Sequence, residues 1–249
     1  MLLAIPVMLA GCTNAANFKP IDPNKGGIWD KYFVYPLSWT LDWFKEILWG
    51  SYGLSIIVVT LIIRFIIFPL TLKQYRSSKQ MQVLQPELKK IKEKYKDDTK
   101  KQQEETMKLF QKHGVNPLAG CLPLLVQMPI LYALYFAIMR TPEIREASFL
   151  GIELGSTDHT YILPILAALT TFLQQKIMMS TTTANPQMRG IMYIFPVLIF
   201  VMAQSFPAAL PLYWVVSNLF TMVQTYFIYG GSQKGGLSNE KSYSNRKNN

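Results

Sequence analysis

Arg64 is the residue that most needs explaining. It sits inside Leu54–Leu70, a run long and apolar enough to cross a bilayer. Along a helix it lies roughly 15 Å from Leu54 and 12 Å from Leu72, close to a membrane midplane. An arginine there costs about 2.5–3.5 kcal/mol on insertion scales. The usual remedy is a buried carboxylate, yet the other four apolar stretches hold no Asp or Glu. Arg64 is therefore expected to face water inside the membrane, or to await a negative charge carried by something else. Thr60, one turn earlier, shares its helical face. Gln127, Thr170, Gln174, Asn218 and Gln224 also fall in apolar stretches. Taken singly, each suits hydrogen bonding between helices. Together with Arg64 they point to a hydrophilic chamber. Trp214 stands beside polar residues in Tyr213-Trp214-Val215-Val216-Ser217-Asn218, where an interfacial anchor and a groove-lining residue are both open readings.

Other chemistry finds little support. His113 and His159 lie in loops, so no buried His sits near a Ser as an intramembrane protease would need. No glycine loop suits a phosphate, so there is no sign of an ATP motor. The two Cys and two His lack ligand spacing, and Cys121 falls in an apolar stretch, so neither a metal site nor a disulfide framework follows. No cofactor and no enzymatic reaction are expected.

The elements that must position these residues follow from composition. Of 249 residues, 50% are hydrophobic and 16% charged, with five Trp and thirteen Tyr. Several uncharged stretches of about 20 residues indicate an all-α, polytopic membrane protein. The net charge of +10 would suggest nucleic acid in a soluble protein. Here the excess of Lys and Arg belongs to loops, and nucleic acid is not expected as a partner. Five spans are expected at about 51–72, 117–139, 160–178, 190–206 and 208–229.

Residues 1–11 are apolar, too short to span, and similar to a signal-peptide core, although no Lys or Arg precedes Lys19. Leu9-Ala10-Gly11-Cys12 resembles a bacterial lipobox, in which Cys12 would be lipidated, with palmitate as the expected modification. Residues 12–27 read as a tether. Over 28–49, Trp29, Phe33, Leu37, Leu41, Phe44 and Leu48 recur at helical spacing, interrupted by Pro36, as in an amphipathic helix lying on the outer membrane surface. Residues 73–116 hold twelve Lys/Arg against six Asp/Glu. Leu84, Leu88, Ile91 and Tyr95 form one stripe there, and Met107 and Phe110 a second. Pro86 suits a first helical turn, Thr99 with Gln102 resembles a capping box, and Gly114 suits a helix stop. The segment reads as a helical hairpin, weakly packed and mobile. Residues 230–249 are rich in Gly, Ser, Asn and Lys and read as a disordered tail.

Charge sets the orientation. The 179–189 loop and the tail add five basic residues to the hairpin's twelve, whereas 140–158 holds two against four acids. Positive-inside places the hairpin and C-terminus in the cytoplasm, and five spans then leave the N-terminus outside. A lipidated Cys12 requires the same side.

Particular motifs carry a resemblance to a known family. They are Tyr52-Gly53-Leu54-Ser55-Ile56-Ile57 with Arg64, Gln85-Pro86-Glu87, the run Phe110–Pro123 containing His113-Gly114-Val115-Asn116-Pro117, Gln127-Met128-Pro129, and Phe206–Asn218. Over residues 28–229 the chain resembles the YidC-type membrane protein insertases of Gram-positive bacteria, a group with mitochondrial and chloroplast relatives. The resemblance implies a five-helix bundle in the plasma membrane, with a groove open to cytoplasm and lipid and closed from outside. It implies Arg64 as the groove arginine, with Gln127 and Trp214 in or near the groove beside Thr60, Gln174 and Asn218. The implied partners are nascent membrane proteins and the bilayer. A ribosome docking on the tail and a Sec translocon alongside are further partners the resemblance raises. A small-solute channel is the competing class, but no inverted repeat or paired broken helices support it. A passive assembly scaffold is the third class.

Overall fold

The computed structural model describes residues 21–22, 27–115, 122–180 and 186–246. The expected signal peptide, Cys12 and most of the tether lie outside the described residues. Nine α-helices, two short strands and one π-turn account for the described chain. The helices are α1 (Tyr35–Ile47), α2 (Tyr52–Val83), α3 (Gln85–Lys94), α4 (Thr99–Lys112), α5 (Leu122–Arg140), α6 (Pro142–Arg145), α7 (Ile162–Ser180), α8 (Pro186–Ala203) and α9 (Ala209–Arg246). Among the described residues one segment, Tyr52–Tyr75, is long and apolar enough to cross a membrane. Leu125–Arg140, Ile162–Met178 and Tyr193–Ala203 are shorter apolar helices.

The chain divides into two compact units. The first comprises Met1–Thr60, Met128–Ala167 and Ile199–Trp214; the second comprises Leu61–Gln127, Ala168–Leu198 and Val215–Asn249. Each of α2, α5, α7, α8 and α9 contributes one part of its length to each unit.

In the first unit, the segment around Pro36 is helical, with an irregular turn just before the proline. Proline has no N–H, so the Tyr32 carbonyl loses its ordinary i+4 donor. The chain takes a π-turn over Asp30–Val34, and the Tyr35 N–H reaches back to the Asp30 carbonyl. Pro36 then sits in the first turn of α1, where no donor is needed. The buried face is Val34, Ser38 and Leu41, so the expected stripe is shifted, and Phe33 is exposed. Polar contacts hold this helix down. Asp30 pairs with Arg140 at 2.7 Å, the Ser38 and Thr141 hydroxyls meet at 3.0 Å, and the Tyr52 hydroxyl donates to Asp42 at 2.8 Å. The Ser55 hydroxyl donates to the Leu41 carbonyl at 2.6 Å.

Residues 140–158 are more ordered than a plain loop. They form α6 and an antiparallel hairpin of β1 (Ser148–Phe149) and β2 (Ile152–Glu153), turning at Leu150-Gly151. The side chain of Phe149 lies where a Cβ on Gly53 would stand, so only glycine at the start of α2 admits this hairpin. Asp158 caps α7, its carboxylate accepting from the backbone N–H groups of Thr160 and Leu163, each at 2.8 Å.

In the second unit, α2 does not end with the apolar run at 72. It continues to Val83, because nothing between Pro69 and Pro86 breaks a helix. Helices α3 and α4 form the expected hairpin. Leu84, Leu88, Leu109, Phe110 and Val115 make its buried cluster, with Met81 of α2 and Ile91 against it. The cap of α4 is Asp98, which accepts from the Lys101 N–H at 3.0 Å, so the Thr99/Gln102 capping box does not form. A carboxylate one residue earlier already serves the orphan donor. Gly114 does stop α4. It takes φ +62°, with Val115 N–H on the Phe110 carbonyl and Gly114 N–H on the Gln111 carbonyl, the paired bonds of a Schellman motif. The final helix is described as far as Arg246, past residue 230 where composition suggested a disordered tail. No proline follows Pro211 to halt it.

Candidate functional site: a polar interior around Arg64

The two units bury different chemistry. The first is packed with apolar side chains, among them Leu41, Ile56, Ile138, Ile144, Leu154 and Leu210. Along the long helices of the second unit, the buried side chains are mostly polar: Thr170, Thr171, Ser217, Asn218, Thr221, Gln224 and Thr225, joined by Tyr75. Five of them share one face of α9, at i, i+1, i+4, i+7 and i+8 from Ser217.

Arg64 and Gln127 meet in this unit. The Arg64 Nη2 donates to the Gln127 side-chain carbonyl at 3.1 Å. The expectation that Arg64 has only water or an incoming charge to face is thus refined, since a neutral acceptor takes one N–H. Its Nε is buried without a hydrogen-bond partner among the described residues. Asn218 is brought to α7, where its amide donates to Thr170 at 3.1 Å and to Thr171 at 2.8 Å. Gln174 lies on the same helix, half-buried. Thr60 and Trp214 belong to the first unit. Thr60 is buried, and its hydroxyl turns back onto its own helix at the Ile56 carbonyl, 2.6 Å away; Trp214 is half-buried.

The sequence reading did not single out Tyr75, Ser217, Thr221 or Thr225. The Tyr75 and Thr225 hydroxyls meet at 2.9 Å, linking α2 to α9. Thr221 and Thr225 also donate to carbonyls one turn back on α9. The i+4 repeat Ser217, Thr221, Thr225 was the available signal. Hydroxyls are easily passed over because each can satisfy itself on its own helix. Buried donors remain at the Ser217 hydroxyl and Gln224 Nε2, which have no partner among the described residues. In a dry apolar setting each would carry a desolvation cost, so the arrangement favours a wet interior or a polar guest.

A mostly helical protein with an arginine bonded to an amide, in a unit whose long helices bury hydroxyls and amides, is the class that this fold and interior define. Residues 43–234 match the model of the 60Kd inner membrane protein family, and the chain belongs to that family. It is 51% identical over 247 residues to membrane protein insertase YidC 2 of Bacillus anthracis, covering 96% of both chains. It is likewise 51% identical to membrane protein insertase MisCA of Bacillus subtilis, covering 99% of this chain and 95% of that one. Among solved structures it is similar to an active YidC insertase crystal structure with the first transmembrane domain resolved. The TM-score is 0.67 and the identity 28%, covering 89% of this chain and 50% of that one, so this chain spans half the length of that protein. The family places the protein in a bacterial membrane.

Proposed function

We propose that this protein inserts membrane proteins into the bilayer, through a hydrophilic groove that opens to cytoplasm and lipid and carries Arg64. The family relatives' names support the activity. The observation that carries the groove is the polar interior of the second unit, with Arg64 set among neutral groups and one buried N–H unpartnered. Gln127, Gln174 and Asn218 line it within that unit. Thr60 and Trp214 each lie one helical turn along the chain from Arg64 and Asn218 respectively.

The short polar tail of a nascent protein enters the wet interior, and Arg64 attracts it when it is acidic. The adjoining apolar segment moves into lipid, driven by transfer worth about 25 cal/mol per Å² of apolar surface. No covalent bond changes. The groove lowers the barrier by giving polar groups a hydrated path part of the way. Five spans, a lipid-anchored Cys12 on the outside, and a hairpin and C-terminus in the cytoplasm complete the arrangement. Ribosome and Sec contacts are further partners in this scheme.

The test is insertion of a single-span substrate into liposomes holding only this protein, with photocrosslinkers at 127, 174 and 218. Insertion with crosslinks to the substrate tail is the expected result. Insertion without crosslinks at any of the three would remove the groove from the proposal. No insertion, with the protein correctly folded and oriented, would remove the activity.

A further inference from the structure

Three bulky residues take a backbone conformation that L-residues with large side chains rarely adopt. Trp49 has φ +53°, Leu150 φ +53° and Tyr161 φ +59°. Among the described residues these are the non-glycine positions with positive φ, and all belong to the first unit. Two of them sit in matching turns. Trp49-Gly50 and Leu150-Gly151 are each a pair of positive-φ residues; the first is closed by a Ser51 N–H bond to the Leu48 carbonyl, and the second joins β1 to β2. Asn-Gly or Gly-Gly is the ordinary choice for such a pair, because the first position also needs positive φ. The chain places Trp and Leu there instead. Tyr161 closes the Asp158 turn, its N–H on the Asp158 carbonyl.

For Trp49 and Leu150, packing inside the chain does little to offset the backbone cost, and Tyr161 is half-exposed. Trp49 is 88% exposed, Leu150 86% and Tyr161 49%. Topology brings them to one end of the first unit. Trp49 lies three residues before α2, and Tyr161 immediately before α7. Both helices begin in this unit and leave it, at Thr60 and Ala167. Phe149 packs over Gly53 in the first turn of α2, which ties the Leu150 tip to the same helix start.

We infer that Trp49, Leu150 and Tyr161 form a three-point anchor that seats this end of the protein in the headgroup–acyl boundary of the bilayer. The occupant is lipid because the tips continue an apolar surface. Tyr161 leads directly into exposed Ile162, Ile165, Leu166, Leu169 and Leu173 on α7, and Trp49 follows exposed Trp39, Trp43 and Ile47. Trp and Tyr at the ends of apolar helices are the residue types that settle at that boundary. This inference concerns the seating of the protein and stands whether or not the groove reading holds.

The experiment uses the full chain in nanodiscs of phosphatidylethanolamine and phosphatidylglycerol. An environment-sensitive fluorescent amino acid is placed singly at 49, 150 or 161, and at exposed Glu146 as the control. Lipids spin-labelled near the headgroup act as quenchers. At the three sites, blue-shifted emission and quenching at least twofold stronger than at 146 are expected. With Leu150→Asn and Tyr161→Asn together, quenching at 49 should fall, since asparagine keeps the turns but loses the apolar tips. Emission and quenching equal to site 146 would overturn the anchor. So would full quenching at 49 in the double variant, which would leave Trp49 acting alone. Emission that turns blue only when two copies share a nanodisc would assign the tips to a second copy instead.

Discussion

At the scale of single residues, charge and hydrogen bonds decide what each site can do. Arg64 bonds to a neutral amide, and no acid among the described residues pairs with it in a bidentate geometry. Arg64→Lys should therefore keep insertion activity. Arg64→Ala should lower the insertion of substrates with acidic tails by roughly tenfold or more, the size of one lost charge-assisted hydrogen bond of about 1.5–3 kcal/mol. Equal rates for Ala and wild type on such substrates in liposomes would refute a role for the charge. Asp158 gives a pH-dependent counterpart outside the spans. Burial pushes its carboxyl up, but hydrogen bonds from the Thr160 hydroxyl, the Leu163 N–H and the Thr160 N–H outweigh burial and hold it below the usual carboxylate range. The folded value is depressed, so the stabilisation is present above the unfolded carboxyl value of about 3.9 and is lost as pH falls through the folded value. Wild type should lose thermal stability over that acid range. Asp158→Asn should be less stable at neutral pH and show a flatter profile. Parallel profiles for the two proteins would show that the cap does not titrate.

At the scale of elements, one glycine fixes how two segments meet. A Cβ on Gly53 would stand 2.0 Å from the Phe149 ring, well inside contact distance. Gly53→Ala should cost about 1–3 kcal/mol, as overpacking does. The double variant with Phe149→Ala should recover part of that loss. Thermal unfolding of both proteins in one detergent reads this, and no recovery would mean that the clash relaxes elsewhere. The α3–α4 hairpin rests on one small cluster, and its outer faces are charged. Its surface ion pairs, such as Lys108 with Glu104 and Glu105, are exposed and contribute little. Amides from Gln85 to Lys112 should exchange faster than those of Tyr52–Tyr75. Exchange as slow as in that span would show a docked hairpin.

At the scale of the whole molecule, the relevant length is the bilayer's. Ile162–Met178 holds 17 residues. That is roughly 26 Å of helix against a hydrocarbon core of about 30 Å. A short apolar helix is met by thinner lipid, which also shortens the path of a polar tail and brings water nearer to Arg64. Insertion rates should therefore fall as acyl chains lengthen at matched fluidity and orientation. Rates that stay flat or rise across the series would exclude thinning from the mechanism.

The sequence alone determined the mostly helical fold, the place of Arg64 in an apolar helix and the glycine stop of α4. These follow from local rules: apolar run length, helical period, and the backbone freedom of Gly114. Thr99 was misread as a cap because the competing Asp98 obeys the same local rule. Tertiary structure decided which polar groups meet. That Arg64 finds Gln127, 63 residues away, and that Asn218 finds Thr170 and Thr171, depends on how distant helices pack. The strained tips at Trp49, Leu150 and Tyr161 were equally hidden. Their significance lies in backbone angles set by turns and packing, whereas their residue types by themselves suggest only ordinary apolar surface.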